Sequence, residues 1–157
     1  MSPDLWTFAT TLYARPGVEA ACLELQAAGA DVCLLLCGLW LDSRGVAHDA
    51  EREAQLRRIA EPWQQEVVKP LRALRQRWRE AAAHDSALSG LRERVKQLEL
   101  EAEREQLGRL QRLSAGWSAP AGSHQLAWLS SLTDDSPATH AALQYLYSMS
   151  SALQAEL

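Results

Sequence analysis

Isoleucine and phenylalanine each occur once in this chain, and valine is sparse. Without alternating β-branched and aromatic residues there is little material for half-buried strands. Leu, Ala, Glu, Gln and Arg stand in their place, and these lose little rotamer freedom in a helix. The composition therefore predicts an all-α fold. Long apolar runs are also missing. The most apolar stretch, VCLLLCGLWL at 32–41, ends after ten residues between Asp31 and Asp42, about half of what a membrane-spanning helix needs. The N-terminal MSPDLWTFATTLY has no basic start and no uninterrupted apolar core of a secretory signal, so a cytoplasmic location with no membrane partner is expected. Cys22, Cys33 and Cys37 are accordingly expected as free thiols.

Catalytic signatures are absent as well. There is no phosphate-binding glycine loop, no GxSxG elbow, no HExxH, and no ExxH pair of the kind that builds a di-iron bundle. The four His, at 48, 84, 124 and 140, are scattered, and none has the spacing to complete a site with Cys33 and Cys37. No catalytic residue, metal ligand or cofactor is expected.

What is there reads as one helical domain, since 157 residues with 47% hydrophobic content suffice for a single core. The run 31–42 is apolar on every face and capped by Asp31, the pattern of a helix enclosed by others. We read it as the centre of a single bundle of about six or seven helices. Cys33 and Cys37, one turn apart among leucines, then serve as small apolar residues that let Gly38 and its neighbours approach closely. Before it, Ser2 as cap, Pro3 in the first turn and the register Leu5, Phe8, Leu12 predict a helix to about Arg15, its apolar face widened by Trp6 and Tyr13. Val18, Cys22 and Leu25 predict a second helix to Ala28, stopped by Gly29. Short turns make these three helices a compact antiparallel unit.

From Asp49 to Ala83 the pattern stays helical, but Pro62 and Pro70 predict a division into three pieces. Leu71, Leu74, Trp78 and Ala82, continued backward by Val67, form an apolar stripe beside a second stripe of Arg72, Arg75 and Arg79. After His84-Asp85-Ser86 comes a long helix over 87–113, with a seam of Leu91, Val95, Leu98 and Ala102 that shifts to Leu107, Leu110 and Leu113. The inner faces are predicted to hold Leu5, Phe8, Leu12, Leu25, Leu71, Leu74, Trp78, Leu91, Val95 and Leu98. The charges of the long helix suit a solvated face with i, i+4 pairs. A second reading turns Glu99 and Glu103, four apart, toward Arg72 and Arg75 as a partly buried network.

SAGWSAPAGS at 114–123 reads as a loop, with short helices expected around 125–132 and from Pro137, capped by Asp135 or Ser136. The division is thus a helical core at 1–113 and a loop with C-terminal helices at 114–157, packed on that core. Residues 113–157 contain no Lys or Arg and carry a formal −3, whereas residues 51–80 hold eight basic and five acidic residues, a formal +3. That contrast suits a tail folded over the basic segment, or two segments serving different partners.

Three function classes are compatible with these features. The favoured one is a protein–protein interaction or adaptor module, with another protein as partner and Trp117 as a candidate anchor that the bundle could equally tuck in. The second is a binding protein or enzyme for a small anionic ligand. Its pocket would lie between helices, with Arg72, Arg75, Lys96, Glu99 and Glu103 as candidates and Trp63 or Trp78 closing it. The third is nucleic-acid binding through Lys69, Arg72, Arg75 and Arg79, which a net charge of −4 disfavours. The oligomeric state is not readable.

The ordered blocks LWTFATTLYARPGVEAACLELQAAGADVCLLLCGLWL, PWQQEVVKPLRALRQ and VKQLELEAER resemble a family of short bacterial cytoplasmic proteins that is a domain of unknown function, over about residues 3–113. The resemblance implies no assigned activity, cofactor or catalytic residue, and it leaves the C-terminal tail outside.

Overall fold

In the computed structural model, residues 3–117, 127–133 and 136–156 are described. Helices α1 (Leu5–Tyr13), α2 (Val18–Ala27) and α3 (Val32–Ser43) come first. Helix α4 (Ala50–Trp63) leads through a π-helical turn (Gln64–Val68) into α5 (Lys69–Arg77), and α6 (Arg79–Ala82) follows. The long α7 (Ser86–Ser114), the short α8 (Ala127–Leu132) and α9 (Pro137–Ala155) complete the chain. No strand occurs among the described residues, and the fold is all-α.

Helix α3 is the hub. Asp31 caps it, Oδ1 accepting from the Leu34 N–H at 3.2 Å, and every residue from Cys33 to Leu41 is buried. Each Leu so enclosed contributes an upper estimate of about 1.5–3 kcal/mol. Helices α1, α2, α4, α7, α8 and α9 all pack on it. Gly38 lets α8 come close: a Cβ there would stand 2.7 Å from Leu132 Cδ1 and 3.3 Å from Trp128 Cβ. Cys22, Cys33 and Cys37 are free and buried.

The N-terminal expectation needs correction. Asp4, not Ser2, caps the first helix, its Oδ1 accepting from Thr7 N–H at 2.7 Å; Ser2 lies outside the described residues. The helix ends at Tyr13, because Arg15 N–H already turns back to the Leu12 carbonyl. Nor do the first three helices form a unit by themselves, since α2 lies chiefly along α9.

The C-terminal segment is part of the core and meets the basic segment at α4, where Arg57 Nη2 donates to the Ser131 carbonyl at 3.0 Å and Arg52 lies over the Trp117 ring. Trp128 is fully buried and donates Nε1–H to the Val46 carbonyl at 2.9 Å. Leu129, Leu132, Leu143, Leu146 and Leu153 join the same cluster as α3. Ser136, its N–H bonded to Thr139 Oγ1, starts α9. The proposed cap Asp135, together with Leu126 and His124, falls outside the described residues.

Pro62 and Pro70 do not divide the chain into three. Pro62 lies inside α4, and the π-turn carries the chain past Pro70: Lys69 N–H reaches back five residues to the Gln64 carbonyl, so the helix continues where Pro70 can offer no donor. Only Trp78 separates α5 from α6.

Helix α7 (capped by Asp85) buries Ala102, Leu107 and Leu110 of the predicted seam, but in its first half turns a different face inward. Leu88, Arg92, Val95, Glu99, Ala102 and Gln106 share one face at alternating four- and three-residue steps, and Glu99, Ala102, Gln106 and Leu110 are buried. Leu91 and Leu98, expected inside, are 48% and 50% exposed. Leu71, Leu74 and Trp78 are only half-buried. Helices α5 and α6 pack on α7 and the π-turn, forming with the first half of α7 an antiparallel arm. Among the described residues between Val68 and Glu99, Ala82 alone is buried.

At the other end of α3, burial pushes the Asp42 carboxyl up to about 7, and its Oδ2 is enclosed with no hydrogen-bond partner among the described residues. The last turn of a helix also disfavours an anion. Because the folded value lies above the ordinary 3.8, the neutral acid is favoured in the fold. Its penalty is absent below that value, grows as the pH rises toward 7, and is constant above. Asp42→Asn is therefore expected to leave urea stability near pH 4 almost unchanged and to raise it near pH 8. An equal effect at both pH values would contradict the assignment.

Candidate functional site

The polar interior lies where α3, the π-turn, α5 and α7 meet. Because the π-turn carries about one residue more per turn, Gln64 and Val68 both face inward and are buried. Gln64 Nε2 donates to Gln106 Oε1 at 2.9 Å and to Asp31 Oδ1 at 3.1 Å. Gln106 Nε2 donates to Asp31 Oδ2 at 2.8 Å. The carboxylate that caps α3 is thus held by two glutamines from other helices. Burial pushes its pKa up, and hydrogen bonds from Leu34 and Gln106 oppose that rise.

One helical turn further out sit the four charges. Arg72 Nε donates to Glu99 Oε1 at 3.2 Å and its Nη2 to Glu103 Oε1 at 3.1 Å. Arg75 grips Glu99 with Nε at 2.6 Å and Nη2 at 3.2 Å. Arg92 Nε closes the network on the Arg75 carbonyl at 2.9 Å. The Glu99 side chain is 7% exposed and that of Arg72 14%, so these pairs are shielded from solvent. Burial, aided by neighbouring Glu99, pushes the Glu103 carboxyl above its usual range, against the pull of Arg72. Cys33 Sγ lies 3.9 Å from the Glu103 carbonyl, and burial holds that thiol well above its ordinary value. The polar network borders an apolar cavity of about 310 Å³ between α1, α2, α3 and α7, lined by Trp6, Ala9, Leu36 and Leu107 among others.

The sequence-predicted residues divide cleanly. Arg72, Arg75, Glu99 and Glu103 come together. Arg79 and Lys96 are exposed and outside the network. Trp63 faces elsewhere: its Nε1 donates to the Ala102 carbonyl at 2.8 Å and Arg109 stacks on its ring at 4.0 Å. Trp6, rather than Trp63 or Trp78, lines the cavity. Trp117 is half-buried, stacked on Trp128 with centroids 6.1 Å apart and covered by Arg52. Asp31, Gln64 and Gln106 were missed as a group. The available signal was Gln64 lying between two prolines within one helical stretch, where a π-turn rotates the face. Among the described residues no group of three or more His, Cys, Asp or Glu is arranged to hold a metal.

Residues 4–110 match the model of a protein family of unknown function, DUF2390. The chain belongs to this family. The matched segment contains the whole polar network and stops inside α7, so α8 and α9, which complete the core around α3, lie beyond it. No curated protein and no solved structure matches the chain. Among the described residues, no helix is long and apolar enough to cross a membrane.

Glu99 is the centre of the network and Glu103 its edge. Glu99→Ala is expected to cost roughly 3 kcal/mol in urea unfolding, because it strands the largely shielded Arg75 guanidinium and leaves Arg72 with Glu103 alone. Glu103→Ala is expected to cost about 1 kcal/mol, its side chain being more open. Equal small losses would mean that solvent screens the whole network.

Proposed function

We propose that this protein is an interaction module that engages another protein chain through the arm formed by α5, α6 and the first half of α7. The observation that carries this reading is the arm's apolar face. The ion pairs of Arg72 and Arg75 with Glu99 fix which sides of α5 and α7 face each other. Leu71, Leu74 and Trp78 fall along one flank of α5 at three- and four-residue spacing, and Leu91, Val95 and Leu98 fall along the same flank of α7. Leu91 and Leu98 are about half exposed. Two helices alone bury little apolar surface, and a contiguous exposed apolar patch is the mark of a contact surface. The polar pairs beneath fix the register of the two helices, and the apolar flank supplies the contact.

The occupant suited to this flank is a helix or helix pair with an apolar stripe, which would turn the arm into a three- or four-helix bundle. Trp117 is a poor anchor, being committed to Trp128 and Arg52. Nucleic-acid binding has less support, since Arg72 and Arg75 are taken by Glu99 and Glu103.

The test is Leu91→Glu combined with Leu98→Glu in the full chain. Both positions are exposed, so the thermal midpoint should hardly move. Sedimentation of the purified protein reads self-association, and affinity capture from host lysate, with and without nuclease, reads a different partner. The reading requires that one protein complex seen with the natural chain, surviving nuclease, is lost in the double variant. A complex that persists in the variant, or a natural chain that is monomeric and captures no protein, would overturn it.

A further inference from the structure

The cavity between α1, α2, α3 and α7 lies on the opposite flank of α7 from Leu91 and Leu98. Its volume, about 310 Å³, lies at the lower end of the roughly 300–1,000 Å³ range of small-molecule sites. Its mouth is ringed by Tyr13, Leu23 and Leu100, which are 39%, 51% and 44% exposed. These are half of the exposed large hydrophobics among the described residues. An apolar rim that continues into an apolar cavity is a surface suited to an apolar molecule.

Charge decides what such a molecule must carry at its head. Of the described side chains lining the cavity, Arg72 and Glu103 are the charged ones. Arg72 is already committed to two carboxylates, Glu99 and Glu103. Counting the surrounding network, Arg72 and Arg75 face Glu99, Glu103 and Asp31. Arg92 is committed to a backbone carbonyl about two turns along α7 from Glu99, and Arg104 stacks on Trp6 at 4.7 Å. Tyr13 is held up to about 12 by burial, with Glu19 and Glu103 adding to the rise. Cys22 is pushed up to about 11 by burial and Glu19. At Cys33, after burial, Asp31 and Glu103 raise the thiol and only Arg72 opposes them. An entering anion would meet these carboxylates and an arginine with little left to give. An entering cation would meet Glu103, which has one oxygen bonded to Arg72 and whose charge, disfavoured by burial and by neighbouring Glu99, a second positive partner would favour.

We propose that this cavity binds a small apolar amine, its hydrocarbon part among Trp6, Ala9, Leu36 and Leu107 and its ammonium on the Glu103 carboxylate. The chemistry is non-covalent: the ammonium donates hydrogen bonds to Glu103, and Arg72 stays in its place as the carboxylate's second partner. This site is independent of the apolar flank of the arm, and the two proposals fail separately.

Hexylamine, hexanol and hexanoate, titrated into the full chain near neutral pH and followed by calorimetry and by tryptophan fluorescence, test it. Hexylamine is expected to bind at least about tenfold more tightly than hexanoate, with hexanol between them, tenfold being the size of one charge-assisted contact. Glu103→Gln should bring hexylamine down to the level of hexanol. Ala9→Leu, which fills a buried wall, and Thr10→Trp, which blocks the rim from an exposed position, should each abolish binding. If Glu103→Gln does not fold, the ranking of the three probes and the two filling variants still decide. Hexanoate binding as tightly as hexylamine, saturable binding that survives both filling variants, or no saturable binding of any probe would overturn the proposal.

Discussion

A helix with no polar face has to be enclosed on every side, and the structure depends on meeting that demand for α3. Nine consecutive residues, from Cys33 to Leu41, are out of solvent, and no single partner helix could cover them. Six others do so. The absence of a side chain at Gly38 lets α8 approach closely. The same demand explains why α8 and α9, beyond the family-matched segment, are built into the core. Without Trp128 and the leucines of these helices, one side of α3 would face water.

The start of α3 presents a second constraint. A capping carboxylate drawn into a core must find donors, and Asp31 finds the side-chain amides of Gln64 and Gln106. Placing Gln64 there requires the register change of the π-turn, which also carries the chain past Pro70. The α5–α7 salt bridges continue this polar seam outward. Core, capping network and arm are therefore linked through one line of polar residues on α7: Arg92, Glu99, Gln106.

Elements with strong local signals were legible in the sequence. The all-round apolar pattern at 32–41, the Asp31 cap, the Gly29 stop and the Asp85-led start of α7 each follow from a few adjacent residues. The pairing of Arg72 and Arg75 with Glu99 and Glu103 was legible as one of two alternatives, because the spacing puts each pair on one helix face. Of the α7 seam, Ala102, Leu107 and Leu110 were legible, and the part facing α5 was not. Leucine was taken as the inward residue, whereas the facing arginines of α5 make Glu99 and Arg92 the inward ones and leave Leu91 and Leu98 beside them. The passage of the helix through two prolines was illegible for a similar reason, since a π-turn has no local composition of its own. The union of Asp31 with residues 33 and 75 positions away is a tertiary fact that no single window contains.

The outcome is a molecule of uneven construction, with a core wrapped around α3 and an arm of α5, α6 and the first half of α7 that buries little of its own apolar surface. With so little buried apolar surface, such an arm is expected to have a lower local stability than the core. Native-state hydrogen exchange, resolved by residue in the full chain, tests this division most directly. The account expects the amides of α3 to exchange only through global unfolding and those of 73–95 to exchange through local openings, faster by orders of magnitude. Equal protection of the arm and α3, both at the global limit, would contradict it.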